Sequence, residues 1–79
     1  MVSLADCAAG VRVLVRHILD ESYGVRLREL GIGEGMELRV LRGPDPLLLH
    51  VRESRLALGR ELARRIWVEP IQLEEVVRP

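Results

Sequence analysis

The chain has 79 residues, and this length predicts a single domain. Twelve basic and twelve acidic residues give a net charge of zero, and 48% of the residues are hydrophobic, which indicates a folded soluble domain. Every basic residue is arginine, so Schiff-base chemistry and a phosphate-loop lysine are excluded. The single cysteine, Cys7, cannot form an intrachain disulfide and is predicted to pack as a small buried hydrophobe.

The sequence predicts neither a membrane span nor a secretory signal. No apolar run approaches the roughly 20 residues that a membrane helix requires. The first ten residues lack a positive region and place Asp6 where the apolar core of a signal would lie. We therefore expect a cytoplasmic protein without direct membrane insertion.

The first half of the chain predicts a short lead-in, a strand and a helix. Ser3 is a candidate cap for one helical turn within residues 3–10. Apolar and polar residues alternate from Val11 onwards, which is typical of a strand over 11–18. Residues 19–24 are predicted as a loop, and residues 25–31 as a short helix that Gly31 ends in a left-handed conformation.

The second half predicts four more strands separated by turns. Alternation marks strands over 36–42 and 47–52, with a turn between them. A reversal at Glu53 and Ser54 leads into a strand over 55–58, one helical turn within 59–65 and a last strand over 66–70. About five strands with one short helix predict a mainly β fold that closes or half-closes into a small barrel.

Three glycines at alternating positions, Gly31, Gly33 and Gly35, invite comparison with a phosphate-binding loop. Such a loop follows a strand and opens a helix, whose N-terminus faces the phosphate. Here a helix precedes the glycines, so the negative end of its dipole faces the loop. Glu34 adds a further negative charge. We therefore interpret the segment as a helix stop followed by a turn into a strand.

No spacing of residues predicts catalysis, a metal site or a cofactor. Cys7 and three serines are the candidate nucleophiles, and only His17 and His50 could act as imidazole bases, but no pattern places a nucleophile, a base and an orienting acid together. The paired-cysteine, His-x-His and Glu-x-x-His spacings of metal sites do not occur. His50 and Glu53 come nearest, and the strand pattern sends them to opposite faces.

Outward-facing side chains are the candidate residues for binding a partner. Trp67 faces outward if its two apolar neighbours face inward, either as an interface anchor or under the apolar residues of the C-terminal tail. Leu48 is the second outward apolar candidate, and a surface shared by the two would indicate an interface. Arg26 and Arg28 on the short helix could pair with acidic groups of a partner, although ordinary solvent exposure is the favoured explanation for them.

Nucleic acid is not a predicted partner. Non-specific phosphate binding needs a concentrated basic patch, whereas the arginines here are balanced by as many acidic residues. Only two aromatic side chains are available to stack on bases. The candidates for a local basic patch are Arg12, Arg16, Arg26 and Arg28.

Motifs in four segments follow one another in a recognisable order. Leu-Gly-Ile at 30–32 precedes Gly35 and Leu38, an opening motif spans residues 4–10, a proline-led hairpin spans 46–58, and Glu-x-Ala-x-x-Ile-x-Val spans 61–68. The ordered set resembles the FeoA family, the ferrous iron transport protein A group, and the related C-terminal domain of iron-dependent repressors of the diphtheria-toxin-repressor type. The resemblance covers residues 4–70 and leaves 71–79 as a C-terminal extension. Glu34 stands where the family has proline, and Glu53 and Ser54 replace a glycine-rich hairpin tip.

The resemblance implies an SH3-like barrel formed by a single domain over residues 1–79. It also implies a noncatalytic cytoplasmic accessory of FeoB, the membrane ferrous iron transporter that carries a GTPase domain. The implied partner is the cytoplasmic domain of that transporter. The alternative is a free-standing regulatory SH3-like domain that binds an iron-dependent transcriptional repressor or a proline-rich segment. An uncovered Trp67 or a free edge strand would support a homo-oligomer.

Overall fold

The structure is a computed structural model that describes residues 1–71. Within that range the chain forms six strands, two helices and one 3₁₀ turn. The strands are β1 (Val2–Ser3), β2 (Arg12–Ile18), β3 (Glu37–Arg42), β4 (Leu47–Val51), β5 (Ser54–Leu58) and β6 (Ile66–Pro70). The helices are α1 (Glu21–Glu29) and α2 (Arg60–Ala63), and the 3₁₀ turn is Leu4–Asp6.

One antiparallel sheet contains all six strands, in the order β1-β6-β2-β3-β4-β5. Register shifts interrupt β2 between Val15 and His17, and β3 between Val40 and Arg42. Bulges of this kind bend a strand and increase its twist, which curls the sheet over one core. The predicted mainly β fold is confirmed. The prediction of about five strands missed β1, because two residues carry no detectable alternation.

Residues that alternate along the strands supply most of the core. Leu47, Leu49 and Val51 of β4 are buried, as the period-two pattern predicted, and the flanking strands repeat the pattern. The buried set is Leu4, Ala5, Val13, Val15, Leu27, Ile32, Leu38, Val40, Leu47, Leu49, Val51, Leu58, Ala63, Ile66 and Val68. No polar or charged side chain of the described residues is buried. The site must therefore be sought on the outer faces.

Helix α1 begins earlier than the sequence suggested, so the prediction of a loop over 19–24 is wrong. The Asp20 side chain accepts a hydrogen bond from the Ser22 backbone nitrogen at 3.0 Å and caps the helix. The Gly24 nitrogen donates to the Asp20 carbonyl oxygen at 2.8 Å, which continues the first turn. Gly24 is buried within α1, at a position where the sequence pattern is typical of a loop.

The end of α1 confirms the interpretation of the glycine segment. Gly31 has a φ of 96° and follows the last helical residues as a left-handed stop. Gly35 has a φ of 88°, whereas Gly33 has no such conformation. The segment turns the chain into β3 and faces the C-terminal end of a helix, as the order of elements predicted.

The β4–β5 hairpin reverses one residue earlier than predicted. Val51 pairs with Ser54, so the two-residue tip consists of Arg52 and Glu53, and Ser54 already belongs to β5. Arg52 has a φ of 57°, the only positive value among the described non-glycine residues. A positive φ at the first tip position alone is the pattern of a type II′ turn, in which glycine is preferred there.

None of the helices in residues 1–71 is long and apolar enough to cross a membrane.

Candidate partner-binding surfaces

Trp67 lies on the outer face of β6, as predicted. Its neighbours Ile66 and Val68 are both fully buried, and a strand sends alternate side chains to opposite faces. Trp67 is half-buried and pairs across the sheet with Ser3 on β1 and His17 on β2. Of the predicted cover, Ile71 is half-buried and its backbone nitrogen donates to the Arg12 carbonyl oxygen at 2.9 Å, whereas Leu73, Val76 and Val77 lie outside the described residues.

Leu48 also lies on an outer face, but it does not share a surface with Trp67. Two strands, β2 and β3, separate β4 from β6 in the sheet. Trp67 pairs with His17 near the C-terminal end of β2, whereas Leu48 pairs with Arg42 at the C-terminal end of β3. Since β2 and β3 are antiparallel, these two ends lie at opposite extremes of the sheet. The structure therefore separates the two apolar candidates.

Arg26 and Arg28 are exposed on α1, on either side of the buried Leu27. Residues two apart on a helix point in different directions, so the two guanidinium groups do not form one patch. Neither takes part in an ion pair within residues 1–71. Arg28 borders a groove with His17, Asp20 and Glu34, while Arg26 does not.

The basic patch considered for nucleic acid does not form. Arg12 makes an ion pair with Glu37, and Arg16 lies 3.5 Å from the Glu69 carboxylate. These two arginines are thus neutralised by neighbouring strands. The other two candidates lie on α1, where Arg28 borders a groove with His17 of β2 and Arg26 does not.

The outer face of β2 to β5 carries a row of three arginines and one histidine that sequence reasoning missed. Register pairs join Arg12 to Arg39, Arg39 to His50 and His50 to Arg55, in one line across four strands. We call these four residues the basic row. A groove of about 520 Å³ is bordered by three of the four, Arg12, Arg39 and His50, and also by Arg52. The pattern of each strand gives the outward face, but only the register between strands shows that the four residues are aligned.

His50 is a poor metal ligand in this setting. It lies between Arg39 and Arg55, whose positive charges oppose a cation, and Glu53 is in the hairpin tip rather than on its face. The other histidine, His17, has its Nδ1 atom 3.6 Å from Glu34 Oε2. Glu34 also accepts a hydrogen bond from the Ile18 backbone nitrogen at 3.2 Å, which ties the glycine segment to β2. Within residues 1–71 no three His, Cys, Asp or Glu side chains are grouped to hold a metal.

Cys7 is half-buried against the core, close to the predicted environment. Its Sγ atom donates to the Ser3 carbonyl oxygen at 3.6 Å. Burial raises the pKa of the Cys7 thiol, and the negative charge of Asp6 raises that pKa further. Because the thiolate is the reactive form, this environment makes Cys7 a poor nucleophile at neutral pH.

Two serine hydroxyls serve the fold. The Ser3 hydroxyl accepts from the Ala5 backbone nitrogen at 3.1 Å, which confirms its capping role, and donates to the Ala63 carbonyl oxygen at 3.3 Å. The Ser22 hydroxyl donates to Asp20 Oδ1 at 2.7 Å, at the start of α1. Neither bond has the nucleophile-to-base arrangement of an active site.

The comparisons with known proteins agree with this architecture. The FeoA domain model matches residues 2–70. The chain is 38% identical over 72 residues to the Fe(2+) transport protein A of Methanocaldococcus jannaschii, covering 87% of each protein. A crystal structure of an iron uptake regulatory protein, FeoA, has a TM-score of 0.83 and 28% identity, covering 89% of this chain and 96% of that one.

Two further solved structures have a similar fold. FeoA of Stenotrophomonas maltophilia, in complex with zinc and described as a prokaryotic SH3 domain protein, has a TM-score of 0.77 and 31% identity, covering 87% of this chain and 91% of that one. A manganese-dependent transcriptional repressor has a TM-score of 0.76 at 24% identity, over 87% of this chain and 41% of that one, and so shares the fold. The fold is thus SH3-like, and the chain belongs to the FeoA family.

Proposed function

We propose that the chain is a noncatalytic accessory module that assists ferrous iron uptake in the cytoplasm by binding the cytoplasmic domain of a FeoB-type GTPase transporter. The match of the FeoA model to residues 2–70 carries the proposal, because it covers all the described strands and helices. The relatives support the same role. One is named for Fe(2+) transport, and another is described as a candidate ferrous iron transport activating factor.

The chemistry of the described residues supports binding rather than catalysis. The thiol of Cys7 is half-buried with a raised pKa, and the hydroxyls of Ser3 and Ser22 are held in structural hydrogen bonds. The buried interior of residues 1–71 contains no polar or charged side chain that could act as an acid or base. A small barrel with polar groups only on its outside acts through its surface.

The first residues to test as contacts to the transporter are Trp67, Leu48, Arg26 and Arg28. The structure separates them into three regions, so a single compact interface cannot use all of them equally. Truncation of a true anchor typically costs more than tenfold in affinity, while neighbouring contacts cost little. The variants therefore distinguish the three regions.

A pull-down with the purified GTPase domain of the cognate transporter tests the proposal. The full chain should capture that domain in at least one of the nucleotide-free, GDP-bound or GTP-analogue-bound states. Trp67→Ala, Leu48→Ala and the double variant Arg26→Glu/Arg28→Glu are compared with Glu61→Ala, which truncates a side chain on α2 that is 81% exposed and belongs to none of the three regions. Absence of capture in every nucleotide state, together with unchanged ferrous iron uptake after deletion of the gene, would overturn the proposal.

A second candidate function is a free-standing regulatory domain that binds an iron-dependent repressor or a proline-rich segment. The likeness in fold to the manganese-dependent transcriptional repressor favours it. It predicts a DNA-binding regulator in place of a membrane transporter as the captured protein. The neighbouring reading frame separates the two candidates, since a large polytopic GTPase supports the first and a winged-helix repressor supports the second.

A further inference from the structure

Two arginines of the basic row, Arg39 and Arg55, are left without a carboxylate partner by the described part of the fold. Arg12 donates from both Nε, at 2.7 Å, and Nη2 to Glu37. Arg39 and Arg55 lie on the strands that flank His50, and both are exposed, so their guanidinium groups are accessible to a partner.

The hairpin tip adds a second cation to the same groove at a conformational cost. Arg52 borders the groove together with Arg39 and His50. It adopts a φ of 57° at a position where glycine would be unstrained. Backbone strain of this kind is concentrated at functional sites. The strained residue of this hairpin thus contributes charge to the groove.

An apolar strip lies directly beside the basic row. Leu48 is two residues from His50 on β4 and shares its outer face. Its register partner on β5 is Ala57, which neighbours Arg55 in the same way. The outer face of β4 and β5 therefore presents an apolar pair next to His50 and the exposed Arg55.

We propose that this face, formed by the basic row and Leu48, docks a segment of a partner protein that presents carboxylates beside an apolar side chain. The inference rests on the proposed function, in which the chain acts by binding a protein, and it names the surface and the chemistry of that contact. Charge complementarity selects the occupant, because guanidinium groups pair with carboxylates in bidentate geometry and the apolar strip needs an apolar counterpart.

Nucleic acid fits the same face less well. Proteins that bind single strands stack bases on aromatic side chains, whereas Tyr23 and Trp67 lie on α1 and β6, outside the groove.

A binding titration with a defined probe tests the inference. The probe is a fluorescein-labelled seven-residue peptide of five glutamates and two leucines, added to the full chain at low salt. We expect saturable binding that weakens with added salt, since exposed charges are screened. Arg39→Glu/Arg55→Glu should weaken binding at least tenfold, and Leu48→Ala about threefold. Arg16→Glu/Arg64→Glu makes the same change in net charge outside the face and should stay within twofold of the wild type.

A charge reversal keeps the test independent of stability. Arg39→Glu/Arg55→Glu should bind a peptide in which lysine replaces each glutamate, and the wild type should not. A melting curve of each variant confirms that the chain is folded. Equal loss in both double variants would overturn the inference, because the effect would then follow net charge alone.

Other occupants give distinct results. Tighter binding of a single-stranded DNA of equal charge, lost in Arg39→Glu/Arg55→Glu, would identify a nucleic-acid surface and overturn the inference. Stronger peptide binding by Glu74→Gln/Glu75→Gln would identify the chain's own C-terminal segment as the occupant. That result would also overturn the inference. Peptide binding on the row, with no capture of the transporter domain in any nucleotide state and unchanged ferrous iron uptake after deletion of the gene, would refute the proposed function and leave the docking chemistry standing. Capture of that domain by Arg39→Glu/Arg55→Glu at wild-type strength would overturn the docking inference and leave the proposed function standing.

Discussion

The backbone nitrogen of Ile32 donates a hydrogen bond to the carbonyl oxygen of Leu27 at 2.8 Å, across the turn that ends α1. Gly31 lies between them in the left-handed region, and its nitrogen donates to the Arg28 carbonyl oxygen at 3.0 Å. The two bonds form a Schellman motif. Both apolar members are fully buried, so the motif fixes the end of the helix against the core.

Gly31→Ala should destabilise the protein, while Gly33→Ala should not. A side chain at Gly31 would meet only ordinary contacts, so the cost is conformational, about 1 kcal/mol after the gain from a stiffer unfolded chain. Gly33 does not need a positive φ and has room for a methyl group. Urea unfolding of the two variants checks the expectation. Equal stabilities would contradict it.

Local patterns accounted for most of the strands and for the helix stop. Alternation predicted which faces of β3, β4 and β6 are buried, because the period of a strand is a property of a few consecutive residues. The start of α1 was missed because Ser22 and Gly24 resemble a loop until Asp20 is identified as a cap. Strand β1 is defined by its pairing with β6, and this pairing is not visible in the local sequence pattern.

The candidate surface was less predictable than the fold. Leu48 was correctly assigned to an outer face, but its distance from Trp67 depends on the register of three strand pairs. The basic row depends on the same information, since Arg12 and Arg55 are 43 positions apart in sequence and aligned only by the sheet. Register between distant strands is set by tertiary packing, which a single sequence does not display.

The cap of α1 should make stability depend on pH in the acid range. Hydrogen bonds from the Ser22 hydroxyl and then the Ser22 backbone nitrogen lower the pKa of Asp20. A carboxylate whose pKa is lowered by folding stabilises the protein above its ordinary pKa, and the contribution disappears as pH falls through the lowered value. The contribution should therefore decline below about pH 4.

Two variants isolate this effect. Asp20→Asn retains a capping side chain but removes the titration, so its melting temperature should fall less than that of the wild type between pH 5 and pH 2. Asp20→Ala removes the cap and should melt earlier than both at neutral pH. An identical pH profile for wild type and Asp20→Asn would contradict the assignment of Asp20 as the titrating cap.

Cys7 should react slowly with thiol reagents in the folded protein. Burial and the charge of Asp6 both raise the thiol pKa, so little thiolate is present at pH 8. We expect labelling by a disulfide reagent at least tenfold slower than for a small free thiol, and full labelling in guanidinium chloride. Asp6→Asn removes the negative charge that is the smaller of the two causes of the raised thiol pKa, so it should accelerate labelling modestly. A wild-type rate equal to that of the free thiol would show that the half-buried environment does not protect Cys7.

Arg52→Gly should stabilise the hairpin and weaken the docking surface together. A left-handed conformation costs a non-glycine residue about 1–2 kcal/mol, and glycine returns part of that gain through its flexible unfolded state, which leaves about 0.5 kcal/mol of net stabilisation. Glu53→Gly is the matched control, because Glu53 has no positive φ and a glycine there only adds flexibility. Unfolding by urea should rank Arg52→Gly above the wild type and Glu53→Gly below it.

The same variant links the strained tip to binding. Arg52 borders the groove of the basic row, so Arg52→Gly should bind the glutamate–leucine peptide about threefold more weakly despite its greater stability. Where a strained residue contributes to binding, a substitution that relieves the strain is expected to stabilise the protein and to weaken binding. If Arg52→Gly is stabilised but binds the peptide with unchanged affinity, Arg52 does not contribute to binding. If Arg52→Gly is less stable than the wild type, the backbone at Arg52 is not strained.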